Sequence, residues 1–73
     1  MYYCVSCYDK YLKSRTYNFL DKKNKLYIVS VSDNASQFKY WINAFIFLIY
    51  LKIYNWKHNI DKYFINYKIE KIK

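Results

Sequence analysis

Across 73 residues the chain contains neither glycine nor proline, and this double absence limits its architecture more than any motif does. Average usage is about 7% Gly and 5% Pro. Tight turns that need positive φ must then use Asn or Asp, whose short polar side chains tolerate the left-handed region. Phosphate-cradling loops built on glycines, including P-loops and dinucleotide fingerprints, are excluded.

The clearest such turn is Asp21-Lys22-Lys23-Asn24-Lys25, a polar loop in which Asn24 suits the left-handed position. On either side of it the sequence alternates. Tyr17 and Phe19 fall on one face of residues 16–20, with Asn18 on the other. Tyr27, Val29 and Val31 oppose Leu26, Ile28 and Ser30 in residues 26–32. Period-two alternation around a five-residue loop predicts an antiparallel β-hairpin. A lone hairpin is marginal in water, so it must pack on another element.

That element follows at once. Asp33 can accept hydrogen bonds from the amides of a first helical turn and complements the helix dipole. Beyond it Phe38, Trp41, Ile42, Phe45, Ile49, Ile53 and Trp56 recur at helical spacing, with Lys39, Asn43, Tyr50 and Tyr54 on the other side. Between Ala44 and Leu51 the segment is apolar nearly all round. A long apolar helix is therefore expected over about 34–56. Residues 57–73, KHNIDKYFINYKIEKIK, form a basic tail. Its Ile65, Tyr67 and Ile69 alternate like a strand, while Ile65, Ile69 and Ile72 fit a helical stripe; without turn residues the tail is read as helix. The expected fold class is α+β, as one small domain or fragment over 1–73. A chain of this length buries only roughly 60% of its unfolded surface, which leaves a small core.

Cys4 and Cys7 form a CxxC pair in the opening residues MYYCVSCY. A structural zinc site needs four ligands, and His58 is the only other Cys or His in the chain. Two ordinary buried or partly buried thiols are expected instead, in a reducing, cytoplasmic setting. The N-terminus lacks a basic start with a continuous apolar run, so no secretory leader is expected.

The net charge is +8, from 13 Lys and Arg against 5 Asp and Glu, and it suits an anionic partner. Twelve of the thirteen cations are Lys, point charges without the planar fork used in specific base readout. No nucleic-acid motif accompanies them, and nucleic acid is disfavoured as a partner. Nothing pairs a nucleophile with a base and an orienting group. No enzyme activity, catalytic residue, metal or cofactor is therefore expected.

The string KLYIVSVSDNASQFKYWINAF resembles the end of a pleckstrin homology domain, a last strand followed by the C-terminal helix. The elements that carry the resemblance are Tyr27-Ile28-Val29, Ser32-Asp33 and Trp41-Ile42-Asn43-Ala44, with RTYNF matching the preceding strand; it covers residues 15–47. The resemblance implies a structural role for Trp41, which in the family packs the helix across one open end of a seven-stranded barrel. The family's phosphoinositide site lies on strands that this chain lacks, so no lipid-binding residue carries over.

Together these features predict a non-enzymatic membrane-peripheral or protein-interaction module, a truncated pleckstrin homology-like domain. Its partner would be an anionic membrane surface or another protein. Asp33 and Trp41 are the expected structural residues, and Lys39, Lys52 and Lys57 the expected contacts to anionic headgroups, at roughly 1 kcal/mol per cation. The alternative is a small membrane protein with one helix, about 40–56, spanning or lying in the bilayer. Charge gives such a span no orientation, because residues 1–39 hold seven cations against three acids and residues 40–73 six against two.

Overall fold

The opening residues MYYCVSCY show neither helical nor strand periodicity, yet they form one of the two inner strands of the sheet. In the computed structural model, which describes residues 1–73, β1 (Tyr2–Asp9), β2 (Ser14–Leu20), β3 (Leu26–Val29) and β4 (Phe64–Ile72) make one antiparallel sheet in the order β3-β2-β1-β4. One helix, α1 (Trp41–Lys57), lies across one face of the sheet. Alternation is missing from β1 because the strand is covered on both faces: Cys4, Val5, Ser6 and Cys7 are all fully buried.

The fold is α+β, with the expected hairpin in place. Asn18 pairs with Ile28 and Leu20 with Leu26 on the helix side, and Phe19 pairs with Tyr27 on the other. β3 stops at Val29, short of the expected Ser32, and Ser32–Asn34 form a single 3-10 turn.

Helix α1 starts at Trp41, seven residues later than expected, and Asp33 does not cap it. The intervening chain is committed to the sheet. β1 and β2 diverge beyond Ser6 and Tyr17, and residues 36–38 fill the fork between them. Phe38 exchanges two backbone hydrogen bonds with Tyr3, at 2.7 and 2.8 Å. Ser36 donates its amide to the Asn18 carbonyl at 3.0 Å and accepts the Leu20 amide on its Oγ at 2.8 Å. Those groups cannot also serve a helix. Asp33 sits in the first turn of the 3-10 segment, and the cap position of α1 is Tyr40, whose side chain makes no capping bond.

The tail is also corrected. Residues 64–72 are a strand, β4, and not a helix. The outer edge of β1 would otherwise present a row of unpaired amides and carbonyls. β4 pairs along it from Tyr2↔Ile72 to Asp9↔Phe64 and places Tyr67 and Ile69 against the core.

Left-handed residues do the work of the missing glycines. Lys13, Asn24, Asn59 and Asn66 are the four with positive φ. Asn24 turns the hairpin, where Asp21 Oδ1 accepts the amides of Lys23 and Lys25 at 2.8 and 2.9 Å. Asn59 ends α1 in a Schellman arrangement, with Ile60 N–H bonded to the Asn55 carbonyl at 2.9 Å and Asn59 N–H to that of Trp56 at 3.1 Å. Asn66 supplies the extra residue of a β-bulge between the pairs Ser6↔Lys68 and Tyr8↔Ile65.

The core is small. Val5 of β1 meets Ala44, Phe47, Leu48 and Leu51 of α1, with Tyr3, Leu20, Leu26, Phe38, Tyr67 and Ile69 packed around them. Ala44, fully buried, leaves no bulk between the helix and the strand. At the far end Asn55 donates from Nδ2 to the Tyr67 hydroxyl and ties the last turn of α1 to β4.

Candidate functional site

α1 carries no acidic residue, and its only charged residues are Lys52 and Lys57. The side turned to the sheet holds Ala44, Phe47, Leu48, Leu51 and Asn55. The opposite side holds Ile42, Phe45, Ile46, Ile49, Ile53 and Trp56, all exposed, from 38% at Phe45 to 67% at Trp56. Their spacing of three and four residues lines them along one face over the whole helix. Together they make one contiguous exposed apolar row.

This row is nearly the stripe that helical periodicity picks out. The structure turns it outward. Trp41 goes with it: half exposed, it stacks on Phe45 with ring centroids 5.1 Å apart and does not enter the core cluster. Phe47 and Leu51 take the packing position expected of it.

The lysines border the row. Lys52 reaches over the Tyr67 ring, with Nζ 5.7 Å from the centroid. Lys39 lies just before the helix, its Nζ 5.6 Å from the Tyr40 ring. Lys57 occupies the last turn, where a cation also complements the helix dipole. The structure thus brings Lys52 and Lys57 to the helix that bears the apolar row and Lys39 to its start, whereas Asp33 lies outside it.

No helix is long and apolar enough to cross a membrane. Seventeen residues of α1 extend about 26 Å at 1.5 Å per residue, against a hydrocarbon core about 30 Å thick.

The other face of the sheet carries a polar network. Ser6 Oγ donates to Glu70 Oε2 at 2.5 Å and accepts from Arg15 Nε at 3.1 Å. The Arg15 guanidinium also donates to the Asn66 carbonyl, and the Tyr17 hydroxyl donates to Glu70 Oε1 at 3.3 Å. Residues 64 positions apart close this network, and no local pattern in the sequence announces it. The Ser6 hydroxyl and both Glu70 oxygens accept from within the cluster, which braces β1 against its two neighbours.

Cys4 and Cys7 are both free and buried. Three positions apart on a strand, they project to opposite faces and cannot share one ion. Burial, with Glu70 adding to it, pushes the Cys4 thiol up to about 11. Burial also raises Cys7, against the opposing effects of the Thr16 hydrogen bond and Arg15, with Asp9 adding to the rise. Both thiols are held as inert SH groups. No cluster of three His, Cys, Asp or Glu side chains able to hold a metal ion occurs, and His58 packs on Tyr54 with ring centroids 4.3 Å apart.

Comparison with known proteins yields no match to a family model, to a curated protein or to a solved structure.

Proposed function

We propose that the protein is a non-enzymatic membrane-peripheral module that lays the outer face of α1 into the headgroup region of an anionic, cytoplasmic-facing leaflet. The observation that carries this reading is the exposed row from Ile42 to Trp56 on a helix whose only charges are lysines. An interfacial helix sinks its apolar face about 5–10 Å into the boundary between headgroups and acyl chains, and flanking cations add attraction to anionic lipid. Lys39, Lys52 and Lys57 supply that attraction, within a chain of net charge +8. Sheet packing on the other side holds the helix rigid and ordered before it binds, so docking incurs little conformational entropy.

The non-enzymatic part of the proposal draws support from the side chains that would be candidates for chemistry. Ser6 is fully buried and engaged by Glu70 and Arg15, and both thiols are shielded. The resemblance of residues 15–47 to a pleckstrin homology domain belongs to this proposal as a hairpin leading to a helix, and it assigns no lipid contact.

The test uses the two tryptophans, Trp41 and Trp56, which are the only ones in the chain and are both at least half exposed on α1. Titration with vesicles containing phosphatidylserine should shift their emission to the blue and protect them from acrylamide. Pure phosphatidylcholine should do so weakly, and added salt should reverse the effect. Unchanged emission with no cosedimentation at low salt would sink the membrane reading. A lipid-free dimer that shields both indoles would instead identify a protein-interaction surface, the second reading of the same row.

A further inference from the structure

Beside the outer row of α1 runs a groove of about 480 Å³. Leu20 and Phe38 line it from the sheet side, Asn43, Ile46, Phe47 and Tyr50 from the helix, and Asn24 of the hairpin turn closes one wall. From this groove we propose a binding site for a single-chain anionic amphiphile, a long-chain fatty acid being the simplest. The proposal deepens the membrane-surface reading and rests on it in one respect: the bilayer is the reservoir that delivers the ligand.

Shape and chemistry support it together. Along α1 the lining runs from Asn43 to Tyr50, a rise of about 10 Å at 1.5 Å per residue. Aromatic rings form much of the wall, with Phe38 and Phe47 centroids 5.2 Å apart and Phe47 and Tyr50 stacked at 6.3 Å. The volume falls within the usual range for small-molecule sites. Ile46 belongs both to this lining and to the outer row, so the groove opens onto the surface proposed to face lipid. Ile46 thus offers an apolar link between the lipid-facing row and the groove.

The charge around the groove selects the head. Its polar lining is two neutral amides, Asn24 and Asn43, with no acid. Lys39 follows Phe38 in the chain, and Lys22 and Lys23 precede Asn24. The one acid in the turn, Asp21, has its Oδ1 taken by the amides of Lys23 and Lys25. The first turn of α1, which contributes Asn43, contains no acid either. An anionic head is favoured there and a cationic head repelled.

Isotope-labelled protein titrated with dodecanoate below its micellar concentration tests the site without a bilayer. Saturable shifts at Leu20, Asn43 and Ile46 are expected, with dodecyltrimethylammonium at least tenfold weaker. Asn43→Trp, which fills the groove from an exposed helix position, should abolish the saturable shifts while the thermal midpoint and vesicle binding persist. Lys39→Glu should weaken dodecanoate binding and narrow the gap between the two detergents, a readout that survives if the first variant misfolds. Shifts centred on Ile49, Ile53 and Trp56, or equal affinity for both head charges, would overturn the proposal. The two readings fail separately: vesicle binding without dodecanoate binding removes only the groove, and the reverse removes only the docking surface.

Discussion

Ser6 of β1 and Glu70 of β4 are joined by a 2.5 Å hydrogen bond on the sheet face opposite the helix, across 64 positions of sequence. Arg15 of β2 completes the cluster, donating to the same Ser6 hydroxyl and lying 3.7 Å from Glu70. Three strands are thereby linked on a face that the helix does not cover. Removing the acceptor strands both partners. Glu70→Ala leaves the fully buried Ser6 hydroxyl without an acceptor for its proton and Arg15 without its counter-ion, at a cost of about 1–3 kcal/mol. Glu70→Gln keeps an acceptor for Ser6 and should cost less. Urea denaturation midpoints rank the two variants, and equal midpoints for Glu70→Ala and the parent protein would show that the cluster contributes nothing.

The two faces of α1 predict opposite phenotypes. Leu51 is 1% exposed within the core cluster, so Leu51→Ala opens a cavity and should cost about 2–5 kcal/mol. Ile49 and Ile53 are 42% and 49% exposed on the other side. Ile49→Ser with Ile53→Ser should leave thermal stability within about 1 kcal/mol yet weaken binding to anionic vesicles at least about tenfold. Melting curves and vesicle cosedimentation on the same preparations read both effects. A double serine variant that unfolds would mean that the outer row is packed in solution.

How far the sequence foretells this fold depends on whether each segment has one neighbour or two. The hairpin is legible because Asn18, Leu20, Leu26 and Ile28 face the helix while Phe19 and Tyr27 face away, which gives clean alternation. β1 is not, since neighbours cover Cys4 and Ser6 as fully as Val5 and Cys7, which erases the period. On α1 the apolar residues extend all round, so periodicity finds a stripe and cannot say which side the sheet takes. Small Ala44 and the polar Asn55 were the signals for the buried side, the first by allowing close approach and the second by pairing with Tyr67. Asp33 resembles a helix cap locally, but the fork between β1 and β2 claims the residues behind it, and that fork exists only in three dimensions. The groove is invisible for the same reason, drawing on β2, the hairpin turn, residue 38 and α1 at once.

Backbone handedness provides another check. Among the four positive-φ residues Lys13 is the only one that is not Asn. A side chain of that kind in the left-handed region costs about 1–2 kcal/mol, and glycine avoids the clash while losing more chain entropy. Lys13→Gly should therefore raise stability by roughly 0.5–1 kcal/mol. Asn66→Val places a branched side chain at the bulge and should destabilise by more than 1–2 kcal/mol in the same currency of left-handed strain. Thermal unfolding of the two variants must move in opposite directions; a Lys13→Gly variant less stable than the parent would contradict the turn geometry.

Alkaline pH should unfold the protein through its buried thiols, and the sign follows from which state ionises first. The folded protein holds Cys4 protonated up to about 11, against an ordinary value of 9.0. Below pH 9 both states keep the proton and the stabilisation is fully present. Above it the unfolded chain loses the proton while the folded one keeps it, so stability falls as pH rises through that window, by roughly 3 kcal/mol in all. Cys7 and Tyr67, both raised chiefly by burial, push in the same direction. The informative quantity is the difference between parent and Cys4→Ala, in which contributions common to both proteins cancel. That difference in unfolding free energy should shrink steadily from pH 9 to 11, and parallel curves for the two proteins over that range would show that the Cys4 thiol is not shielded.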